Sequence, residues 1–443
     1  MRVALLTVTS HDGCTLKDVA GGYGTVFEVG TGWRAKLLER AKSHVASLPP
    51  LVFGYLSAQL RSEGHSVSVA NVHWPDTPWL PTEPGPGADV VVLLSSIVDA
   101  EAEVEVLRAL RRTRAKTIVV GAYATQRPDP YLEVADAVVL GEPEALGASV
   151  LEAVGRVSAG QVDDLDRLPF PDWTPFDVDS YRYAFLSLRH PTLPVGSARG
   201  CAYGCGYCPW RVTAQFRERD PDAVGREVAQ LRDRFGARAV AFRDPLFNLD
   251  PDRVRALARA LQPLDVRFSA EMRADRLDAS LLALLYDAGL RSLEIGVESV
   301  NRDMLRAEKR RPPNSAQIED TVRTAQKLGI RVICNYVLGL PDDDEATIRK
   351  TVAWAKELDS FAVQFTVATP YPGTSLEPMA APRMLPMAKM TGFSPTFEHP
   401  RIRPNQLRAL REWAYVSYHF RPRYAWRFAR HATAALLDDL RPR

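Results

Sequence analysis

RGCAYGCGYCPW, residues 199–210, sets three cysteines within eight positions. Their spacing is C-x3-C-x2-C, over Cys201, Cys205 and Cys208. The chain has 443 residues and five cysteines, and the other two, Cys14 and Cys334, stand far off in sequence. In a reducing compartment such a cluster binds metal or does chemistry, rather than forming a disulfide framework. Three thiolates can hold three irons of a cubane cluster and leave the fourth without a protein ligand, which is what a catalytic centre needs. Gly204 and Gly206 let the loop wrap a bulky cluster. Structural zinc is the competing reading. It calls for a fourth Cys or His, usually in two separated ligand pairs, and no matching pair accompanies this triplet.

Composition narrows the class. Lys and Arg number 56 against 54 Asp and Glu, a net charge of +2, which makes no electrostatic case for a nucleic-acid partner. The opening MRVALLTVTSHDG is too short an apolar run for a signal peptide, and no stretch approaches the roughly 18 apolar residues of a membrane span. The expectation is a cytoplasmic protein with free thiols.

Outward from the cysteines, residues 190–384 repeat strand and helix six times. The strands are read at LPVGSAR, ARAVAFRD, VRFSAEMR, SLEIGVES, RVICNYVLG and FAVQFTVAT. Six units suit a partial (β/α)6 barrel, whose chemistry sits where strands end. The polar clusters fall there: the cysteines, Asp244, Glu271–Arg273, Glu298–Ser299 and the turn from Leu338 to Asp342. Residues 1–155 alternate strands (VALLTV, SVSVANV, DVVVLLSS, TIVVG, AVVLGE) with helices, as a doubly wound α/β sheet does. Its strand ends carry Ser95, Ser96, Gly121 and Gly141, small residues that admit a large ligand. A proline-rich linker covers 156–189, and 385–443 is helical, rich in arginine and aromatics.

The triplet with Tyr207 before its last cysteine resembles the radical S-adenosylmethionine (SAM) superfamily. So do DPLF, MRADRLD, IGVESVN, GLPDDDEAT and PYPGTSL. The first region, with LPPLVFGYLSAQLRSEGHSVSVANV, DVVVLLSS, TIVVGAYAT and VVLGEPEAL, resembles the domain found in the cobalamin-binding members. The resemblance implies a [4Fe-4S] cluster on Cys201, Cys205 and Cys208, S-adenosylmethionine on its open iron, and a 5′-deoxyadenosyl radical that takes hydrogen from a small-molecule substrate. It implies contacts to S-adenosylmethionine from Tyr207, Asp244, Arg273, Glu298, Ser299, Val337 and Gly339. A structural ion pair at the barrel mouth is the other reading of Glu298 and Arg273. Where relatives often show two adjacent acids, Asp244 is followed by Pro245.

For cobalamin it implies Ser95, Ser96, Gly121, Tyr123, Gly141 and Glu142. There is no D-x-H-x-x-G loop, and Tyr123 stands where relatives often carry a histidine. His11 is another candidate ligand, with a solvated loop residue as its plainer reading. The insertion AGGYGTVFEVGTG (20–32) lines a cofactor, cradles phosphate or is a plain loop. The implied reaction is C-methylation of a natural-product or lipid-like substrate from methylcobalamin, with a flavodoxin or ferredoxin as electron donor. The alternatives are a radical cyclisation, ring contraction or oxidation without methyl transfer, and a non-enzymatic cobalamin-responsive module. The tail at 418–431 closes over substrate or packs its aromatics inward. Cys334 is expected as a buried apolar residue and Cys14 in a loop.

Overall fold

The computed structural model describes residues 1–440 apart from 12–14, 44, 76–86, 189 and 381–389; Cys14 lies outside the described residues. Two parallel sheets, each with six strands, organise the chain. The first contains β1 (Arg2–Thr9), β2 (Ser66–His73), β3 (Val90–Leu94), β4 (Lys116–Val120), β5 (Ala137–Gly141) and β6 (Gly155–Gly160). Their order is β2-β1-β3-β4-β5-β6, all parallel. Strand β3 is buried along its whole length, as its unbroken apolar run requires. Strand order reverses at β1, and the ligand crevice of such a sheet opens beyond the strand C-termini at that point. The sequence reading ended this unit near 155, but β6 carries the sheet to 160. Its GRVSAG lacks the apolar run that marked the other strands.

The second sheet is the open barrel expected: β7 (Thr192–Val195), β8 (Ala239–Phe242), β9 (Arg267–Met272), β10 (Leu290–Glu298), β11 (Arg331–Leu338) and β12 (Ala362–Val367), paired in chain order. The helices between them form for local reasons. In Pro221–Phe235, the Asp220 side chain accepts the Ala223 N–H, Pro221 opens the first turn and Gly236 closes the helix at φ 65°. Val224, Val228 and Leu231 share its buried face.

An open barrel leaves a seam between its first and last strands. Residues from the first domain fill it. The glycine-rich insertion crosses to the barrel, where Tyr23 stacks on Tyr371 at 5.6 Å and donates to Pro372 O at 2.9 Å. Phe27 packs edge-on to Phe393 and Tyr415. In helix α1 (Trp33–Ser43), Lys42 Nζ reaches Gln364 Oε1 at 2.8 Å. Beyond it Ala46–Ser47 pairs antiparallel with Arg182–Tyr183. The tail forms helices α2 (Pro404–His419) and α3 (Pro422–Leu440). Two of its aromatics are buried, with Tyr415 Oη accepting the Phe365 N–H at 2.9 Å and Tyr418 Oη donating to Ser360 O at 2.6 Å, while Phe420, Trp426 and Phe428 stay exposed. Arg421 and Arg427 close on Asp359 at 2.9 and 3.1 Å.

Candidate functional site

The cysteine loop leaves β7 through Gly200, whose φ is 75° and whose Cβ, if present, would meet Gln215 O at 2.2 Å. The loop is pinned from two sides. Gly206 N–H donates to Glu308 O at 2.8 Å, and Ser375 N–H donates to Gly206 O at 2.9 Å. A Cβ on Gly206 would lie 2.4 Å from Ser375 Oγ, and one on Gly204 2.7 Å from Arg211. Both glycines therefore also sit close against side chains of the protein. Cys201, Cys205 and Cys208 all line one cavity of about 300 Å3 in the barrel mouth. Burial pushes the Cys201 and Cys208 thiols above the ordinary range, so their thiolates need a compensating cation. Among the described residues no group of three or more His, Cys, Asp or Glu side chains gathers around a single-ion site. The donor set, three thiols on a roomy cavity, fits the iron-sulfur cluster better than zinc.

Arg310, which the sequence reading missed, holds the site together. Its Nη1 lies 3.9 Å from Cys205 Sγ, while its Nη2 is 3.0 Å from Glu298 Oε1 and 2.6 Å from Gly296 O. Glu298 sits at a register shift in β10 with φ 67°, strained for a non-glycine residue. Burial raises its carboxyl pKa, with Arg310 opposing. The mouth thus does contain an ion pair, but Arg310 and not Arg273 is the partner of Glu298. Arg273 binds Asp275 at 2.6 Å through Nη2 and lies 4.5 Å over the Tyr203 ring. Its Nη1 is buried without a hydrogen-bond partner, a free donor on a residue that lines the cavity. Tyr207 and Val337 line it too.

Three expected residues do not face this cavity. Asp244 is turned onto Ser197, accepting its N–H at 2.7 Å and its hydroxyl. Ser299 lies just beyond the end of β10 and is not in the lining; its Oγ accepts the Asn301 N–H at 3.2 Å. Gly339 lies beyond the end of β11 and donates its N–H to Asp343 at 2.9 Å. Cys334 is fully buried, as expected. Deeper in the barrel, Glu271, Glu294, Asn335 and Gln364 line the same cavity. Burial and the neighbouring Glu294 push the Glu271 carboxyl up to about 8. Glu271 belongs to the strand-end polar cluster read from the sequence; Glu294, Asn335 and Gln364 were missed, although each is a polar residue inside a strand, which was the available signal.

A second cavity, about 200 Å3, lies between the domains. Leu94, Gly121, Gly141 and Glu142 line it at the strand ends of the first sheet, with Arg199 and Arg243 facing from the barrel. Arg243 also bridges the domains through Asp18 at 3.0 Å. Glu142 is paired with Arg199 and Arg217 at 3.1 and 2.6 Å. Gly141 has a further reason for its glycine: at φ 92° a Cβ would strike Gly160 O at 2.2 Å.

Ser95, Ser96 and Tyr123 are not in the lining. Ser95 Oγ accepts the Ala124 N–H at 3.0 Å. Ser96 joins a buried cluster in which Lys17 Nζ lies 2.8 Å from Ser96 Oγ and 2.9 Å from both Asp99 and Glu103. Tyr123 is buried edge-on between Tyr23 and Tyr131. His11 is outside the lining as well, with Nε2 at 3.1 Å from Val98 O. No described residue of helices α2 and α3 lines either cavity. The two cavities share Trp210 and Pro245, and the insertion lines both: Gly21 and Gly22 on one side, Ala20 and Thr25 on the other.

Residues 195–355 match the radical SAM superfamily. An uncharacterized methyltransferase of Pyrococcus horikoshii is 24% identical over 413 residues, 85% of this chain and 88% of that protein. The bacteriochlorophyllide d C-8(2)-methyltransferase of Chlorobaculum tepidum is 26% identical over 65% of this chain and 67% of its own length. Among solved structures, the radical S-adenosylmethionine methyltransferase TsrM from Kitasatospora setae, with cobalamin and a [4Fe-4S] cluster bound, superposes with a TM-score of 0.65. It is 16% identical, and the match covers 95% of this chain and 89% of that one, a likeness of fold across both sheets. Residues 195–355 are therefore a radical S-adenosylmethionine superfamily domain, and the chain as a whole shares its two-sheet fold with that solved methyltransferase.

Proposed function

We propose that the protein is a cobalamin-dependent radical S-adenosylmethionine C-methyltransferase acting on a small molecule. The observation that carries this reading is the pair of cavities back to back, one with three thiols and one at the C-terminal ends of β3, β4 and β5 of the doubly wound sheet, sharing Trp210 and Pro245. When bound, an iron-sulfur cluster with an open iron and a corrin supply reductive cleavage of S-adenosylmethionine and a transferable methyl group.

The chain's own residues have defined tasks in this reading. Cys201, Cys205 and Cys208 hold the cluster, and Arg310 sets the Cys205 side of it. Arg273 offers its free Nη1 to the methionyl carboxylate, a task its planar fork suits. Tyr207 and Val337 border the adenine. Gly121 and Gly141, at the strand ends that line the interdomain cavity, would leave room there for a corrin. The seam filled by residues 20–47 keeps bulk water from the barrel interior, where a radical would otherwise be quenched.

The methyltransferase names of the relatives favour methyl transfer over cyclisation or oxidation. Free thiols at the site and the absence of a membrane-crossing helix among the described residues support a cytoplasmic setting, with a flavodoxin or ferredoxin as electron donor. The test is anaerobic purification with added cobalamin, followed by metal analysis and product assay. About four irons and about one cobalt per chain are expected, with both S-adenosylhomocysteine and 5′-deoxyadenosine formed in turnover. Iron without cobalt, and deoxyadenosine alone, would remove methyl transfer and leave the radical barrel.

A further inference from the structure

The floor of the cysteine cavity is more acidic than the chemistry at its mouth requires. Glu271 on β9 and Glu294 on β10 stand directly opposite one another in register and both line the cavity. Glu294 lies four residues before Glu298 on the same strand, roughly 13 Å deeper at the usual rise per residue. Asn335, on the next strand, adds an Oδ1 that is buried without a hydrogen-bond partner.

The nearby cations are committed to other partners. Arg243 is held by Asp18, although its charge also acts on Glu271 and Glu294, Arg273 is held by Asp275 and Arg310 by Glu298. Lys42 enters the layer but binds the Gln364 amide. Glu294 accepts only the Tyr183 hydroxyl, at 3.1 Å, and no hydrogen bond or ion pair reaches the Glu271 carboxylate from the described residues. Although walled in by protein, Glu271 keeps an accessible surface, and that surface faces the cavity. Two carboxylates in contact distance of one space, plus an unused amide oxygen, form a set of acceptors waiting for donors.

We infer that this floor is the substrate subsite for a cationic nitrogen, a protonated amine or guanidinium held between Glu271 and Glu294 with Asn335 as a third acceptor. The inference rests on the proposed function for the word substrate. The charge at the floor would anchor one end of the molecule and leave its reacting carbon toward the mouth, between the thiols and the Trp210–Pro245 boundary.

Isothermal titration calorimetry tests it on anaerobically reconstituted protein saturated with S-adenosylmethionine, using benzylamine and its neutral counterpart benzyl alcohol as probes. Benzylamine should bind at least about tenfold more tightly. Glu271→Gln, which removes charge without breaking any protein hydrogen bond, should abolish that preference, leaving benzyl alcohol and S-adenosylmethionine binding within about twofold. Equal affinity for the two probes in the wild-type protein overturns the inference. So does a Glu271→Gln variant that loses S-adenosylmethionine rather than amine, which would assign the acids to the cofactor. Failure of the methyltransferase reading would look different: cobalt or methylated product would be missing while amine selectivity persisted.

Discussion

Arg310→Met isolates the residue that ties the cluster loop to the barrel. In the wild-type chain its guanidinium meets Glu298 at 3.0 Å, Gly296 O at 2.6 Å and Cys205 Sγ at 3.9 Å. The Arg310 and Glu298 side chains are 13% and 11% exposed. Removing one partner of a fully buried pair costs about 3–5 kcal/mol, because the other charge is left without compensation. Here the pair borders a cavity, so water reaches it and the cost falls to about 2 kcal/mol. That is about thirtyfold in a local opening equilibrium. Hydrogen exchange of the amides in β10 should therefore quicken about thirtyfold in cluster-free protein near neutral pH. Adding Glu298→Gln removes the stranded charge and should recover most of the loss. The sign of the pH dependence follows from burial. The Glu298 carboxyl pKa is raised in the folded chain and rises further without Arg310, so the native state holds that proton more tightly than the unfolded one. The penalty is absent below the unfolded carboxyl pKa and grows as pH climbs toward the folded value, so the deficit should shrink on acidification. Unchanged exchange in the single variant, or a double variant as labile as the single, would refute this reasoning.

Other expectations follow from the same geometry. Cys205→Ala should drop bound iron from about four to below about one per chain after anaerobic reconstitution, while Cys334→Ala, buried on β11 away from the cavity, should keep its iron. Tyr23→Ala, which empties a fully buried site between the domains, should cost about 3–5 kcal/mol and expose the interdomain segment to limited proteolysis, whereas Tyr23→Phe should cost about 1 kcal/mol by losing only the bond to Pro372 O. The Glu271 carboxyl, raised to about 8 by burial with Glu294, faces Glu294, Glu298, Asp244 and Arg243; the apo protein should lose stability as pH rises from the unfolded carboxyl range toward 8. Glu271→Gln should flatten that slope in urea melts across pH, and an unchanged slope would mean that the carboxyl titrates normally.

The barrel was legible because its strands are short apolar runs separated by capped helices, and both signals are local. Asp220, Pro221 and Gly236 mark one helix without help from the rest of the chain. Cys201, Cys205 and Cys208 were legible because their spacing is local too. The errors came where facing had to be decided. Ser299 and Gly339 were grouped with neighbours that do line the cavity, yet each lies just past a strand end, where Ser299 Oγ accepts the Asn301 N–H and Gly339 N–H turns to Asp343. Farther in, Glu294 stands opposite Glu271 on β9, and Asn335 on β11 stands opposite Gln364 on β12, all four lining the cavity. Of these only Glu271 was picked out from the sequence.

Contacts between distant segments were not readable. Nothing in AGGYGTVFEVGTG says that Tyr23 will stack on Tyr371 or that Phe27 will meet Phe393. Nothing local says that Arg310 will sit beside Cys205. Yet these long-range contacts decide what the site can be. Six strands cannot close a barrel alone, so the seam must be filled by something, and here the filler comes from the first domain. The same stretch that seals the seam also lines both cavities, with Gly21 and Gly22 on one side and Thr25 on the other. A displacement of that stretch would open the barrel interior and reshape the interdomain cleft together. The physical consequence is that neither cavity can be treated as the property of one domain: the first domain supplies a wall of the radical site as well as the floor of its own cleft.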